Sequence, residues 1–300
     1  STDILPLIML GQIINKTMTK ALRARVLLNM GDYTNALAEA ESLINSGYFA
    51  LANSANALRD MWTNDQGSEF IYVPAGTPDE RFEYGSSVND NNFRSYSQAA
   101  GAYSPDWIPS KSTVDMYSAT DWRTDIFLDK QNVKCQDQKA SNIALFNKFL
   151  GNPSLSKKGD SKFARYNLPK LFRIAETYLI AAEAAYRLND AAKAQQYLNA
   201  LRTKRGLLAT VETGESLAKE IRLEWKREFM GEGMYFRVLK RWGVGFERDA
   251  ATQTGAANVV YTGNAAANIG LKVEPTFHNN WTFEIPTQEK SMNPNIESFD

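Results

Sequence analysis

One helix–turn–helix pattern occurs twice in this 300-residue chain, and any fold must bring the two copies together across the long stretch between them. In the first copy, residues 17–48, Ala21, Ala24 and Leu28 recur at helical spacing before the break at Gly31-Asp32. Ala36, Leu37, Ala40, Leu43 and Ile44 resume the pattern after it. The second copy runs from Phe172 to Leu207, with Ile174, Tyr178, Ala181, Ala182 and Ala185 expected along one face. A shift of 158 residues (190 − 32) lays Asp190 on Asp32, Ala194 on Ala36 and Ala182 on Ala24. Asp32 is placed to cap the second helix of its pair, because its carboxylate can accept orphan backbone N–H groups. Gly47 and Gly206 are placed to close the two pairs, Gly206 behind the cations Arg202, Lys204 and Arg205.

Alanines at matched positions let paired helices approach closely, and the unit resembles the tetratricopeptide hairpin, whose repeat is about 34 residues. Two separated copies are too few for an ordinary solenoid. A further helix, Ser216 to Phe229, carries Leu217, Ile221, Trp225 and Phe229 four residues apart and should pack on the second pair. Residues 50–165 are rich in Asn, Asp, Ser, Gly and Pro, with short strand-like runs such as Glu69 to Val73. Their many aromatics argue for order, since disordered segments lack them. The tail from Gly243 is also loop-rich. The expected fold is mainly α, with helical pairs and a long irregular half. Residues 1–300 read as a single domain, divided into pairs at 17–48 and 172–207, a loop-rich region at 50–165 and a C-terminal helix and tail at 216–300.

Composition removes several functions. Lys+Arg and Asp+Glu both number 34, and a net charge of zero disfavours a nucleic-acid binder. One histidine, His278, leaves no HExxH and no multi-histidine zinc site, and the lone Cys135 allows no intrachain disulfide. A Cys135–His278 dyad lacks anything local to activate the thiol. No phosphate-cradling glycine loop occurs. The apolar run from Ile4 to Ile14 falls short of the roughly 20 residues a membrane helix needs, and it lacks the flanks of a signal peptide. Glu176 and Glu183, seven apart on one helix, read as ion-pair partners for Arg173, Arg202 or Arg205 rather than as an acid/base pair. Glu220, Glu224, Glu228 and Glu232 with Arg222, Lys226 and Arg227 read as an ion-pair-laced helix face.

The irregular half carries the candidate site. Asn92, Arg94, Tyr96, Tyr103 and Trp107 place rings beside an amide and a guanidinium. Sugar rings stack their C–H faces on aromatics and bond their hydroxyls to such polar groups. The competing reading is that these aromatics anchor loops to the helical body. The run Asn89-Asp90-Asn91-Asn92 offers oxygens of the kind Ca²⁺ takes, but it lacks EF-hand spacing and reads more readily as a solvated turn. No other cofactor is indicated.

Several segments together resemble the SusD/RagB-type outer-membrane lipoproteins. The family's R-x-A-E-x-x-L-x-x-A-E-A and L-N-x-x-R-x-R-x-G-L blocks are matched by Arg173, Ala175, Glu176, Leu179, Ala182, Glu183 and Ala184, then by Leu198, Asn199, Arg202, Arg205, Gly206 and Leu207. Ile221, Glu224, Arg227, Glu228, Glu232, Gly233, Leu239, Arg241, Trp242 and Gly243 match the next block. That block departs at Tyr235 and Val238, where the family usually shows Arg and Asp. Tyr117, Asp121 and Arg123 resemble the family's Y-x-x-x-D-x-R turn, and Ile285, Pro286, Glu289, Asn293 and Pro294 its closing signature. The resemblance implies a non-catalytic, surface-exposed glycan-binding lipoprotein that caps a SusC-like TonB-dependent transporter in a Gram-negative outer membrane. It also implies that an N-terminal section bearing the lipidated cysteine precedes residue 1 and is the chain's only tie to the membrane. A peptide-holding tetratricopeptide scaffold and a helical glycan-degrading enzyme are the alternatives. The wide separation of the pairs disfavours the first of these.

Overall fold

The computed structural model describes residues 14–80, 96–97, 100–149, 151–160, 166–247, 253–257, 259, 272–273 and 285–293. Helices α1 (Lys16–Met30) and α2 (Tyr33–Ile44) form the first pair. The chain continues through α3 (Ala55–Thr63), β1 (Phe70–Tyr72), β2 (Tyr96–Ser97), β3 (Ala102–Tyr103), α4 (Lys111–Asp115), α5 (Thr124–Phe127), β4 (Leu128–Cys135), β5 (Gln138–Phe146) and β6 (Phe172–Arg173). The second pair is α6 (Ile174–Arg187) and α7 (Ala191–Thr203), followed by α8 (Gly214–Glu228) and α9 (Tyr235–Trp242).

The two pairs turn in the same way, and the 158-residue shift carries over to atoms. Gly31 sits at φ +81 and Asn189, its counterpart, at φ +61. Glycine and asparagine are the residues that tolerate this left-handed conformation. Behind each, the aspartate N–H reaches back to close the helix: Asp32 to the Leu27 carbonyl at 3.0 Å and Asp190 to that of Ala185 at 2.9 Å. Both aspartates then cap the next helix, accepting from the N–H groups of Asn35 and Lys193. Gly47 is not the closing residue of the first pair. The helix stops at Ile44 with Asn45 as its cap, and Gly47 lies two residues further on.

Helix α6 is the centre, packed against α1, α2, α7 and α8. It is buried nearly all round rather than along one face: Ala175, Leu179 and Ala184 are as enclosed as Ala181 and Ala182, whereas Tyr178 is only half-buried. Alanines at Ala24, Ala36, Ala182 and Ala194, all fully buried, leave room for four neighbours to crowd around one helix. Trp225 of α8 and Phe229, the residue that caps it, join the same core and lie 5.3 Å apart between ring centres.

The irregular half contains more structure than its composition suggests. Ser54 caps α3, whose Leu58, Met61 and Trp62 are fully buried. Strands β4 and β5 form a long antiparallel hairpin, and β2–β3–β4–β5 is the sheet order, with β3 parallel to β4. The register steps from Gln131↔Ile143 to Val133↔Ala140, so β5 carries an extra residue, and Asn142 there lies at φ +63. That bulge breaks the two-residue alternation by which a strand is recognised in sequence. The short β1–β6 pair ties this half to the entrance of α6.

Replacing Trp225 by Ala removes a large, fully buried side chain from between α6 and α8. The expected loss is about 3–5 kcal/mol, read from urea unfolding. A loss under about 1 kcal/mol would contradict this packing.

Candidate functional site

Charged side chains inside the protein decide how its loops are held. Glu228 is fully buried and receives three guanidinium groups: Arg123 at 3.1 Å, Arg173 at 2.8 Å and Arg205 at 2.9 Å. Arg205 also reaches Glu69 at 2.9 Å, and Arg173 reaches Glu232 at 2.7 Å. Arg123 is bidentate to Asp121 and contacts Glu224 at 2.6 Å. Lys148 donates to the Glu228 carbonyl and to Glu232. Its ammonium lies 4.6 Å from the centre of the Trp62 ring and 4.3 Å from that of Phe127. The three arginines hold the Glu228 carboxyl far below the ordinary range against the opposing pull of burial. Burial dominates at Lys148 and lowers its ammonium to about 8.

The sequence expectation of an ion-pair-laced face on α8 therefore needs correcting at Glu224 and Glu228. They share the buried side with Ile221 and Trp225 and point into the network. The partners of Glu176 and Glu183 also differ from those expected. Arg25 of α1 clamps Glu176 with two contacts of 2.6 Å, and Arg241 of α9 clamps Glu183 at 2.6 and 2.8 Å. Bidentate pairs of this kind fix orientation as well as charge. Both glutamates are structural ties rather than an acid/base couple.

The network positions the aromatic loop indirectly. Asp121–Arg123 leads into α5, and α5 runs directly into β4. Tyr103 of β3 pairs with Val133 of β4 and faces Tyr96 of β2, the two rings 5.0 Å apart and inclined at 69°. The chain then leaves the sheet through Tyr103 to Ser110. Ile108 packs with Val133, Ile143 and Leu145, and Pro109 is buried. Trp107, between them and Pro105, is 55% exposed. Gln253 fastens the loop, donating to the carbonyls of Pro109 at 2.8 Å and Ala144 at 2.9 Å while accepting from the Ala144 N–H. Of the five residues expected at the site, the structure joins Tyr96 to Tyr103 and presents Trp107 to solvent. Asn92 and Arg94 lie outside the described residues, as do the run from Asn89 and His278. Gln253 was not foreseen, and no pattern around it in the sequence marks it. Among the aromatics of the irregular half, Trp62 and Tyr117 are loop anchors, buried in the second core cluster.

Among the described residues no group of three or more His, Cys, Asp or Glu side chains is placed to hold a metal ion. No helix among them is long and apolar enough to cross a membrane.

Stacked helical pairs are locked by buried arginine–glutamate contacts to a loop-and-sheet half that displays an aromatic turn, and together they make a mainly helical scaffold. The SusD family profile matches residues 54–299, and the chain belongs to that family. Solved structures agree in fold. A SusD superfamily protein from Bacteroides thetaiotaomicron is 22% identical with a TM-score of 0.65, the match covering 96% of this chain and 61% of that one. Surface glycan-binding protein A from Bacteroides uniformis is 20% identical with a TM-score of 0.64, covering 96% and 61%. A SusD-like carbohydrate binding protein from Bacteroides vulgatus is 19% identical with a TM-score of 0.63, covering 95% and 60%. The chain thus spans about three fifths of the length of these structures. Comparison with curated proteins finds no match.

Two outcomes test the network. Glu228→Gln leaves three buried guanidinium groups short of a counter-charge, so a loss of about 3–5 kcal/mol is expected in chemical unfolding. The second concerns Lys148, whose folded value of about 8 lies below its ordinary 10.5. Between those values the unfolded chain holds more protons, so this group makes stability rise with pH, by at most about 1.4 kcal/mol per unit. Subtracting the unfolding profile of Lys148→Met from that of the wild type should expose that slope between pH 8 and 10.5. Parallel profiles would show that Lys148 does not titrate as described.

Proposed function

We propose that this chain is a non-catalytic glycan-binding protein, acting as one domain that captures an oligo- or polysaccharide at the cell surface. In this reading it is a surface lipoprotein of the outer membrane, attached through a lipid anchor outside the present sequence. It passes its ligand to a TonB-dependent, SusC-like transporter. Family membership and the glycan- and carbohydrate-binding descriptions of two structural neighbours support the reading.

The observation that carries it is Trp107. An indole this exposed has no part in the core, yet its loop is fastened on both sides by Tyr103 in the sheet and by Gln253 on Pro109. Prolines at 105 and 109 further restrict the backbone, which lowers the entropy lost when a ligand binds. A flat, pre-positioned indole with the Tyr96–Tyr103 pair on the adjoining strands suits stacking against sugar rings, with Asn92 and Arg94 proposed as hydroxyl partners.

Calorimetric titration against a panel of soluble polysaccharides, with reducing-end analysis of each mixture, tests the reading. Binding without new reducing ends is expected, whereas cleavage lost on changing one carboxylate would overturn it. Trp107→Ala should weaken binding by about 2 kcal/mol, roughly thirty-fold, with little change in melting temperature. Unchanged affinity would move the site elsewhere.

A further inference from the structure

Strand pairing in the β4–β5 hairpin sets two ammonium groups side by side. Lys134 and Lys139 are direct partners in the antiparallel register. Their side chains therefore leave the same face of the sheet, with Cβ atoms about 5 Å apart. Side chains alternate along a strand. Val133 is buried with Ile143 and Leu145, so Lys134 stands on the opposite face, the side of the exposed Lys130 and Asn132. None of these three lysines makes an ion pair or a side-chain hydrogen bond among the described residues. Acids close by in the chain do not answer them. Asp129 lies on the other face, where it accepts from the Gln131 amide at 2.8 Å. Asp137 in the hairpin turn and Asp106 beside Trp107 pair with neither Lys134 nor Lys139. Like charges directly opposite each other destabilise a sheet, and such local conflicts are expected where function requires them. The pair also adjoins the loop that displays Trp107. Strand β3 runs parallel to β4 with Tyr103 beside Val133, so the chain leaving β3 through Ser104 passes along Lys134. From Ser104 to Trp107 is three residues, at most about 11 Å of chain.

We infer that the glycan taken by this protein is anionic, its carboxylate or sulfate held between Lys134 and Lys139 while a neighbouring sugar ring stacks on Trp107. Acidity is assigned here to the proposed glycan ligand, and so it rests on that reading. Two ammonium groups suit an oxyanion on a sugar chain. Each offers three donors on a flexible stem, so charge is met without demanding one fixed geometry. Asn132 on the same face adds an amide for sugar hydroxyls. A bound anion also removes the repulsion that the free hairpin carries. The charge that costs stability in the free protein thus contributes to binding.

Calorimetric titration tests this by comparing acidic oligosaccharides with their uncharged forms. Oligogalacturonides against their methyl esters probe a carboxylate, and κ-carrageenan oligosaccharides against desulfated ones probe a sulfate. Tighter binding of an acidic member is expected, weakening with added salt, and the acid preferred identifies the group. Lys134→Gln and Lys139→Gln should each weaken it about tenfold, the worth of one charge-assisted hydrogen bond. The double variant should lose the preference for acid over uncharged sugar, whereas Lys134→Arg should keep it. Without ligand, either glutamine variant should unfold at higher urea than the wild type, so weaker binding cannot be put down to a damaged fold. Equal affinity for acidic and uncharged forms, or a preference that the double variant keeps, overturns the assignment. A lower urea midpoint in both single variants overturns it too, because the lysines would then not be in conflict. These outcomes leave the glycan reading standing, since Trp107→Ala tests that separately. Failure of every glycan to bind, acidic or neutral, ends both.

Discussion

The contact on which the rest of this structure depends is a single carboxylate, Glu228, enclosed by Arg123, Arg173 and Arg205. A buried carboxylate is costly unless it is paired and fully hydrogen-bonded, and here each of its partners comes from a different part of the chain. Arg123 belongs to the loop before the hairpin, Arg173 to the strand that opens α6 and Arg205 to the turn that closes α7. Because none of the three arginines can lose its proton, the pairing persists across the physiological pH range. The network therefore acts as a lock between halves. It fixes where the loop-rich half leaves the helices, and the hairpin and the Trp107 loop follow from that point.

The helices can converge on this lock because α6 is narrow. With alanine at five of its eleven buried positions, it admits α1, α2, α7 and α8 at short distance, and the charged groups at its ends come within reach of theirs. Gly206 has a similar role at one place. It lies at φ +79, and a Cβ there would stand 2.2 Å from the Thr120 carbonyl and 2.6 Å from Trp122 Nε1. Only glycine lets the end of the second pair touch the loop that brings Arg123 in. Backbone conformation and close approach require the same residue.

Much of the helical scaffold is legible in the sequence because helices announce themselves locally. Apolar spacing, a capping aspartate and a residue able to adopt positive φ all lie within one short window, and the second pair repeats them 158 residues on. The buried charges are not legible in this way. A glutamate on an amphipathic helix is exposed by default, and Glu224 and Glu228 differ from Glu220 only in sharing a side with Ile221 and Trp225. Their convergence with Arg173 and Arg205 is a property of the whole chain, visible only when the motifs are taken as a set. The hairpin was hidden by its own bulge at Asn142. At the aromatic loop, the rings of Tyr96, Tyr103 and Trp107 are visible in the sequence, but the clasp by Gln253 links residues 144 positions apart and leaves no local trace.

The departure from the family pattern at Tyr235 and Val238 follows the same physical rule as the network. Where the family usually has an arginine and an aspartate, this chain has a half-buried phenol, its ionisation pushed up by burial, and a fully buried valine. Changing one member of an enclosed ion pair strands the other, whereas changing both to largely apolar groups is close to neutral. Neither Tyr235 nor Val238 brings a charge that would need a buried partner. Orientation of α9 then rests on Arg241, whose bidentate clamp on Glu183 and position 5.0 Å from the Trp225 ring tie the helix to α6 and α8 at once. That clamp ties one helix through one pair, whereas Glu228 joins three separate parts of the chain at once.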